Sequence, residues 1–280
     1  MKEKYGFLLS LKSLEYEIRE LTIYSKEYVD CFELLKDRLD YLSQFILREE
    51  NIQQWNLWGS HQEVREHSGR LRETSAEALC DMEKYQSLCT CKNELDISHY
   101  IESLANTVKQ EIQHFLIDHQ SKILFIGSGA FPTSALTIAK ETSAEVMCLD
   151  IDIEALNLAE KVADVSNLGS IVKFSDQDIK ELPFVKEATH IIIASLVKNK
   201  REVLDSLIGL INSNTKVILR YGNGLKSIFN YPMEEKLSAD WVQTEIHQRK
   251  NIYDTLILEK SKSLVKTENE GVRRKEGMVR

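Results

Sequence analysis

The chain has 280 residues, 42% of them hydrophobic and 29% charged, with a formal net charge of −8. That length buries a sizeable core in one large unit or two, and the acidic balance argues against nucleic acid and anionic membrane surfaces as partners. No apolar run approaches the ~20 residues of a bilayer span, and Met1-Lys-Glu-Lys4 lacks the apolar stretch and cleavage site of a signal peptide. A cytoplasmic location is therefore expected. Cys31, Cys80, Cys89, Cys91 and Cys148 make an odd count, which argues against a disulfide framework in a chain with no export signal. Cys89-Thr-Cys91 is one residue short of a CxxC pair, and no His or Cys cluster has zinc spacing, so no metal is expected.

Residues 1–118 contain no proline and only three glycines, Gly6, Gly59 and Gly69. Apolar residues there recur at helical steps. Tyr28, Val29, Phe32, Leu35, Leu39, Leu42 and Ile46 form one stripe; 70–88 and 98–117 read likewise, the latter with Asp96 or Ser98 as cap. This half predicts a bundle of four or five helices. Trp55 and Trp58, three apart, read as core packing ahead of a ligand pocket.

From residue 122 the pattern changes. Strand-like runs at 122–127, 145–149, 171–174, 189–194 and 216–221 alternate with helical runs near 133–142, 153–165 and 200–212. That alternation predicts a parallel sheet covered on both faces. Two further runs, 244–247 and 253–258, predict a closing antiparallel pair. The fold class expected is α/β, a class I methyltransferase-like Rossmann domain over 119–262 behind an all-α bundle over 1–118. Residues 263–280 are polar and charged, and a disordered tail is expected. The linker at 119–121 is short, so the bundle is expected to pack on the sheet as a lid or acceptor site.

The strand ends carry polar groups in register. Gly127-Ser128-Gly129 follows the first strand and lets backbone N–H groups approach a ligand. Asp150 and Asp152 follow the second, where a carboxylate accepts ribose hydroxyls. Asp176 and Gln177 follow the third, within reach of an adenine amino group, and Ser195 follows the fourth, beside the expected reacting centre. The third glycine of the dinucleotide fingerprint is replaced by Pro132, at home in the first turn of a helix. With no intact diphosphate fingerprint, a nucleoside without phosphates such as S-adenosylmethionine fits better than NAD. His190, opening the fourth strand, reads as structural. Asn223 and Lys226, in the loop after the fifth, either meet a substrate carboxylate or shape the turn.

Two segments, Ile126-Gly-Ser-Gly-Ala-Phe-Pro132 and Arg220-Tyr-Gly-Asn-Gly-Leu-Lys-Ser-Ile-Phe-Asn-Tyr-Pro232, resemble the nicotianamine synthase family, most of all its bacterial, staphylopine-synthase-type branch. The resemblance implies transfer of the 3-amino-3-carboxypropyl (2-aminobutanoate) group of S-adenosylmethionine to the α-amine of histidine, with release of methylthioadenosine. The product would be a metallophore intermediate, consumed by a separate opine-type dehydrogenase. The resemblance further implies a glutamate base and a tyrosine from the helical half, which fall on Glu83 and Tyr100. From the residues alone, Glu83 reads as an exposed helical charge and Tyr100 as a packing residue. Two rivals share the fold: an N-methyltransferase acting on a small amine, and a non-catalytic ligand-binding protein. The residues do not fix D- or L-histidine or the number of transfers, and a homodimer is compatible with them but not required.

Overall fold

The computed structural model describes residues 1–92, 99–233, 237–246 and 250–261, with backbone alone at 99 and 100. The expected caps Asp96 and Ser98 and the expected tail at 263–280 lie outside the described residues. Five helices come first: α1 (Lys2–Glu27), α2 (Cys31–Phe45), α3 (Glu49–Trp58), α4 (Gln62–Cys91) and α5 (His99–Phe115). In α2 the buried residues Leu35, Leu39 and Leu42 repeat at helical steps, as the stripe predicts. Its first two members depart from it. Tyr28 and Val29 are 65% and 62% exposed, because the backbone at Tyr28 turns extended (φ −131°, ψ 111°) and resets the helical phase.

Helix α4 is longer than the predicted 70–88 run. Gly69 lies within it without interrupting it, and a Cβ built there would meet only Arg72 Nη2, in ordinary contact at 3.9 Å. Ser68 and Ser75 are buried, and their hydroxyls donate to the carbonyls of Val64 and Leu71, both at 2.6 Å, so neither is a polar orphan in the core.

The second half holds β1 (Lys122–Ile126), α6 (Thr133–Thr142), β2 (Glu145–Leu149), α7 (Ile153–Val165), β3 (Val172–Ser175), α8 (Phe184–Glu187), β4 (His190–Ile193), α9 (Lys200–Leu207), β5 (Lys216–Tyr221), β6 (Trp241–Ile246) and β7 (Asp254–Lys260). The sheet order is β3-β2-β1-β4-β5-β7-β6. The first five strands run parallel and β7 lies antiparallel between β5 and β6. This is the expected class I methyltransferase-like arrangement. All of β4 is buried, as a strand covered on both faces requires. Short α8 is absent from the sequence reading, and α9 stops at Leu207, short of the predicted 212. His190 is structural: Phe115 O and Thr189 Oγ1 meet its two ring nitrogens, and burial lowers its pKa.

The strand order reverses beside β1, opening a crevice at the carboxyl ends of the parallel strands. Helix α4 crosses that edge. Arg72 Nη1 donates to Ser227 O beyond β5 (3.0 Å) and Glu73 pairs with Lys198 beyond β4 (3.1 Å). Ser87 Oγ donates to Ala130 O beyond β1 (2.7 Å), and Lys84 pairs with Asp152 beyond β2 (2.8 Å). The first part of the helix thus meets the ends of β5 and β4, and its last turns meet the ends of β1 and β2. Leu71, Leu79 and Met82 share one apolar cluster with Leu225, Ile228, Phe229 and Tyr253, so the core does not divide where the chain passes from helices to sheet. Among the described residues no helix is long and apolar enough to cross a membrane.

Candidate active site

A cavity of about 940 Å³ lies between α4 and the strand ends, large enough for two small-molecule substrates. The glycine turn forms its floor. Gly127 (φ +80°) and Gly129 (φ +68°) are in the left-handed region, which side chains other than hydrogen adopt at a cost. The N–H groups of Gly127 and Ser128 donate to Leu149 O at 2.8 and 3.3 Å. Gly129 N–H donates to Asp150 Oδ2 at 2.8 Å, and Asp152 N–H to Asp150 Oδ1 at 3.1 Å. Asp150 therefore clamps the turn after β1 to the end of β2. Each carboxylate oxygen keeps a second acceptor site, and the residue lines the cavity.

The other strand-end residues divide by role. Asp152 caps α7, its Oδ1 accepting from Glu154 N–H (2.9 Å) and Ala155 N–H (3.2 Å), while Lys84 takes Oδ2. The Lys84 ammonium is the main reason its pKa is lowered. Asp176 and Gln177 are exposed and line the cavity. Ser195 also lines it, and its carbonyl accepts from Lys200 Nζ (2.8 Å) and Tyr231 N–H (3.1 Å). Ser128 is buried, its hydroxyl facing the Cys148 thiol without a well-formed hydrogen bond.

Glu83 reaches down from α4 to the glycine turn. Its Oε2 accepts from Ala130 N–H at 3.2 Å, and a Cβ built on Gly129 would lie 2.1 Å from the same oxygen. By surface area Glu83 is only half-buried, because its carboxylate faces the cavity. Protein nonetheless surrounds it. Burial, and then the charge of Asp150, push its pKa up to about 8, against the pull of the Ala130 and Phe131 N–H groups. A carboxylate with that pKa takes up a proton near neutral pH and serves as a general base. Cys80, one turn earlier, lines the same cavity. By surface area it is exposed, but the protein packed around it desolvates the thiol; this first, then Glu83 and Asp150, push its pKa up to about 12, so it stays protonated and weakly nucleophilic.

Tyr100 lies in the first turn of α5, but its side chain and that of His99 lie outside the described residues. Trp55 packs on the helical core near Gly224, and Trp58 Nε1 donates to Gln54 Oε1 at 3.1 Å; neither lines the cavity. Asn223 Oδ1 accepts from Met233 N–H (3.3 Å) and Lys226 pairs with Asp254 (2.7 Å). Both residues shape the loop after β5, and neither lines the cavity. Among the described residues no group of three His, Cys, Asp or Glu side chains is placed to hold a metal ion.

Sequence reasoning missed Lys200. It is 2% exposed, and its ammonium donates to the carbonyls of Ser195 and Val197 (2.8 and 2.6 Å). Burial, and to a lesser degree Arg72, lower its pKa to about 7. It pins the loop after β4 that walls the cavity. Replacing Lys200 by methionine leaves the Val197 carbonyl without this donor and Ser195 O with the Tyr231 N–H alone, and is expected to cost about 1–3 kcal/mol in chemical denaturation; an unchanged midpoint would remove Lys200 as the pin. No local signal separates this lysine from a solvated one at the start of a helix.

A profile of the family described as "Nicotianamine synthase protein" matches residues 44–266. The chain belongs to the nicotianamine synthase family. Relatives in it include an L-histidine 2-aminobutanoyltransferase of Pseudomonas aeruginosa (strain UCBPP-PA14), 38% identical over 93% of this chain and 99% of that protein. A protein of the same name from Yersinia pestis is 34% identical over 91% and 96%. Among solved structures, MtNAS in complex with MTA and tNA superposes with a TM-score of 0.74 over 90% of this chain and 97% of that one, at 15% identity. At that identity the likeness attests the family fold. A glutamate-to-glutamine mutant of MtNAS in complex with S-adenosylmethionine superposes at 0.70, at 14% identity, over 88% and 97%.

Proposed function

We propose that this chain is an S-adenosylmethionine-dependent transferase that moves the 2-aminobutanoate group onto the α-amine of L-histidine. Carrying the reading is one observation: a glutamate with its pKa near 8 stands over the glycine turn of a nucleoside-type site, inside a cavity with room for a second substrate. The names of the relatives support histidine as acceptor.

The chemistry follows from the geometry of a sulfonium, which has three carbons open to substitution. The one attacked is the one in line with the nucleophile at ~3–3.5 Å. Here the histidine nitrogen forms a bond to the γ-carbon of the methionine chain. The C–S bond breaks, and the sulfur keeps the electron pair and leaves as neutral methylthioadenosine. Before the attack Glu83 takes one proton from the α-ammonium, which frees the nitrogen's lone pair. The donor sulfonium, lying near Glu83, favours its ionised form.

Gly127, Ser128 and Gly129 bring backbone against the donor. Asp150 accepts from the ribose, Asp176 and Gln177 from the adenine side, and Ser195 sits by the reacting centre. Asp152 acts through the α7 cap and Lys84, and Tyr100 positions the amine or the donor carboxylate. Residues 1–118 shape the acceptor side and 119–262 hold the donor. The secondary-amine product then goes to an opine-type dehydrogenase. A cytoplasmic enzyme, free or as a homodimer, fits this role.

Mass spectrometry of products from S-adenosylmethionine with D- and L-histidine in parallel tests the reading. Methylthioadenosine with an aminobutanoyl-L-histidine is expected; S-adenosylhomocysteine with methylated histidine would replace the proposal with methyl transfer. The ratio kcat/KM is also expected to rise with pH as Glu83 ionises, through about 8 in the free enzyme. A profile already flat from about pH 6 to about pH 9 contradicts Glu83 as the base.

A further inference from the structure

Arg220, on β5, is 2% exposed and lines the cavity. A guanidinium stays charged in such a place and has to be paired. Its Nε and Nη2 meet both carboxylate oxygens of Glu111 from α5, and Thr255 Oγ1 donates to Glu111 Oε1 at 3.4 Å. Its Nη1 donates to Ser134 Oγ, in the first turn of α6, at 2.8 Å. The rings of Phe125 and Tyr253 flank it, their centroids 5.4 and 4.9 Å away.

The placement of this pair matters more than its existence. Arg220, Ser134, Phe125 and Tyr253 all line the cavity, and Glu111 does not. The negative end of the pair lies behind the wall and the positive end faces inward. The other cations of the wall, Lys180 and Lys198, are exposed, and Lys198 is paired with Glu73. Among the described residues Arg220 is thus the one buried cation on a wall that also carries Glu83, Asp150, Asp152 and Asp176. The reaction brings two amino-acid carboxylates into this acidic cavity, and each needs a cationic or N–H partner to leave water.

We propose that Arg220, held in place by Glu111 and Ser134, binds an α-carboxylate at the end of the cavity walled by Phe125, Ser134 and Tyr253. The carboxylate belongs either to the aminobutanoate arm of the donor or to the acceptor. This assignment rests on the transfer reaction proposed above and adds to it the group that orients one of the two substrates.

The test uses Arg220→Lys in the full chain, with steady-state kinetics and calorimetric binding. Its two arms compare S-adenosylmethionine with its decarboxylated analogue and histidine with histamine. A rise of at least about tenfold in one KM is expected, with a smaller change in kcat, because lysine keeps the charge but loses the planar fork that meets Glu111, Ser134 and the carboxylate together. A rise for S-adenosylmethionine that vanishes with the decarboxylated donor assigns the donor carboxylate; a rise for histidine that vanishes with histamine assigns the acceptor. Equal losses with and without the carboxylate, or unchanged KM values in a folded variant, overturn the proposal. Should the single variant not fold, Arg220→Met combined with Glu111→Met removes both buried charges together, and the same comparison applies. If the parent protein forms no methylthioadenosine, the reaction reading fails, yet the calorimetric comparison of the two donors still reads the Arg220 site.

Discussion

Replacing Glu83 by glutamine is expected to cut aminobutanoate transfer by about 10²- to 10⁴-fold, the usual worth of a positioned base, while S-adenosylmethionine still binds. Glutamine keeps the shape and an oxygen for the Ala130 N–H, at 3.2 Å from Glu83 in the parent, so the glycine turn stays in place. What is lost is the group that accepts the ammonium proton. Calorimetric titration of the donor and a methylthioadenosine assay separate binding from chemistry; unchanged turnover would remove Glu83 from the mechanism. Stability should move the other way. Between the ordinary value of 4.5 and the folded value of about 8, the folded state holds a proton on Glu83 that the unfolded state has lost. Stability from this group is therefore complete below the lower value and is lost as pH rises through the upper one. Glu83→Gln abolishes that loss, so its Tm should match the parent in acid and exceed it increasingly toward pH 8. A Tm difference independent of pH would contradict the raised pKa.

Gly129→Ala should damage activity far out of proportion to the change of one hydrogen to a methyl. The added carbon would lie 2.1 Å from Glu83 Oε2, on a residue with φ +68°. The left-handed backbone costs an alanine about 1–2 kcal/mol. The clash is with the far end of a flexible side chain, so the fold survives by pushing the carboxylate away. That displacement takes the base out of line with the acceptor, and misplacement of about 1 Å costs ~10²-fold in rate. Activity is thus expected to fall much further than stability. Gly6→Ala is the control: Gly6 lies in α1 with nothing within 4 Å of the added carbon. It should raise stability by about 0.5–1 kcal/mol and leave turnover alone. A Gly129→Ala enzyme with parental kcat would show that Glu83 does not work from the position seen here.

The glycine turn and strand ends were legible because their signals are local. Gly127 and Gly129 form the turn expected after the first strand, and the structure adds that both are left-handed there. Asp150 closes the end of β2 onto that turn through Gly129 N–H. Glu83 was legible only through family resemblance. Its neighbours on α4 give an ordinary helical pattern, and nothing near it in the chain says that the carboxylate faces a cavity. Arg220 sat inside a family-like segment without a role of its own, since its partners Glu111, Ser134 and Thr255 come from three other elements. Lys200 looked solvated for the same reason.

The order of apolar runs, the glycine turn and the carboxylates at successive strand ends determined, by themselves, an α/β sheet with a nucleoside-type edge behind a set of helices. Backbone sterics and side-chain periodicity act over a few residues, and the sequence displays them directly. Only the tertiary structure decided that α4 runs across that edge and that Glu83 stands over Gly129 with a raised pKa. It also decided that Arg220 turns its positive end inward while Glu111 stays behind the wall. Those outcomes depend on desolvation and on charges brought together from distant parts of the chain, and no local pattern of residues carries them.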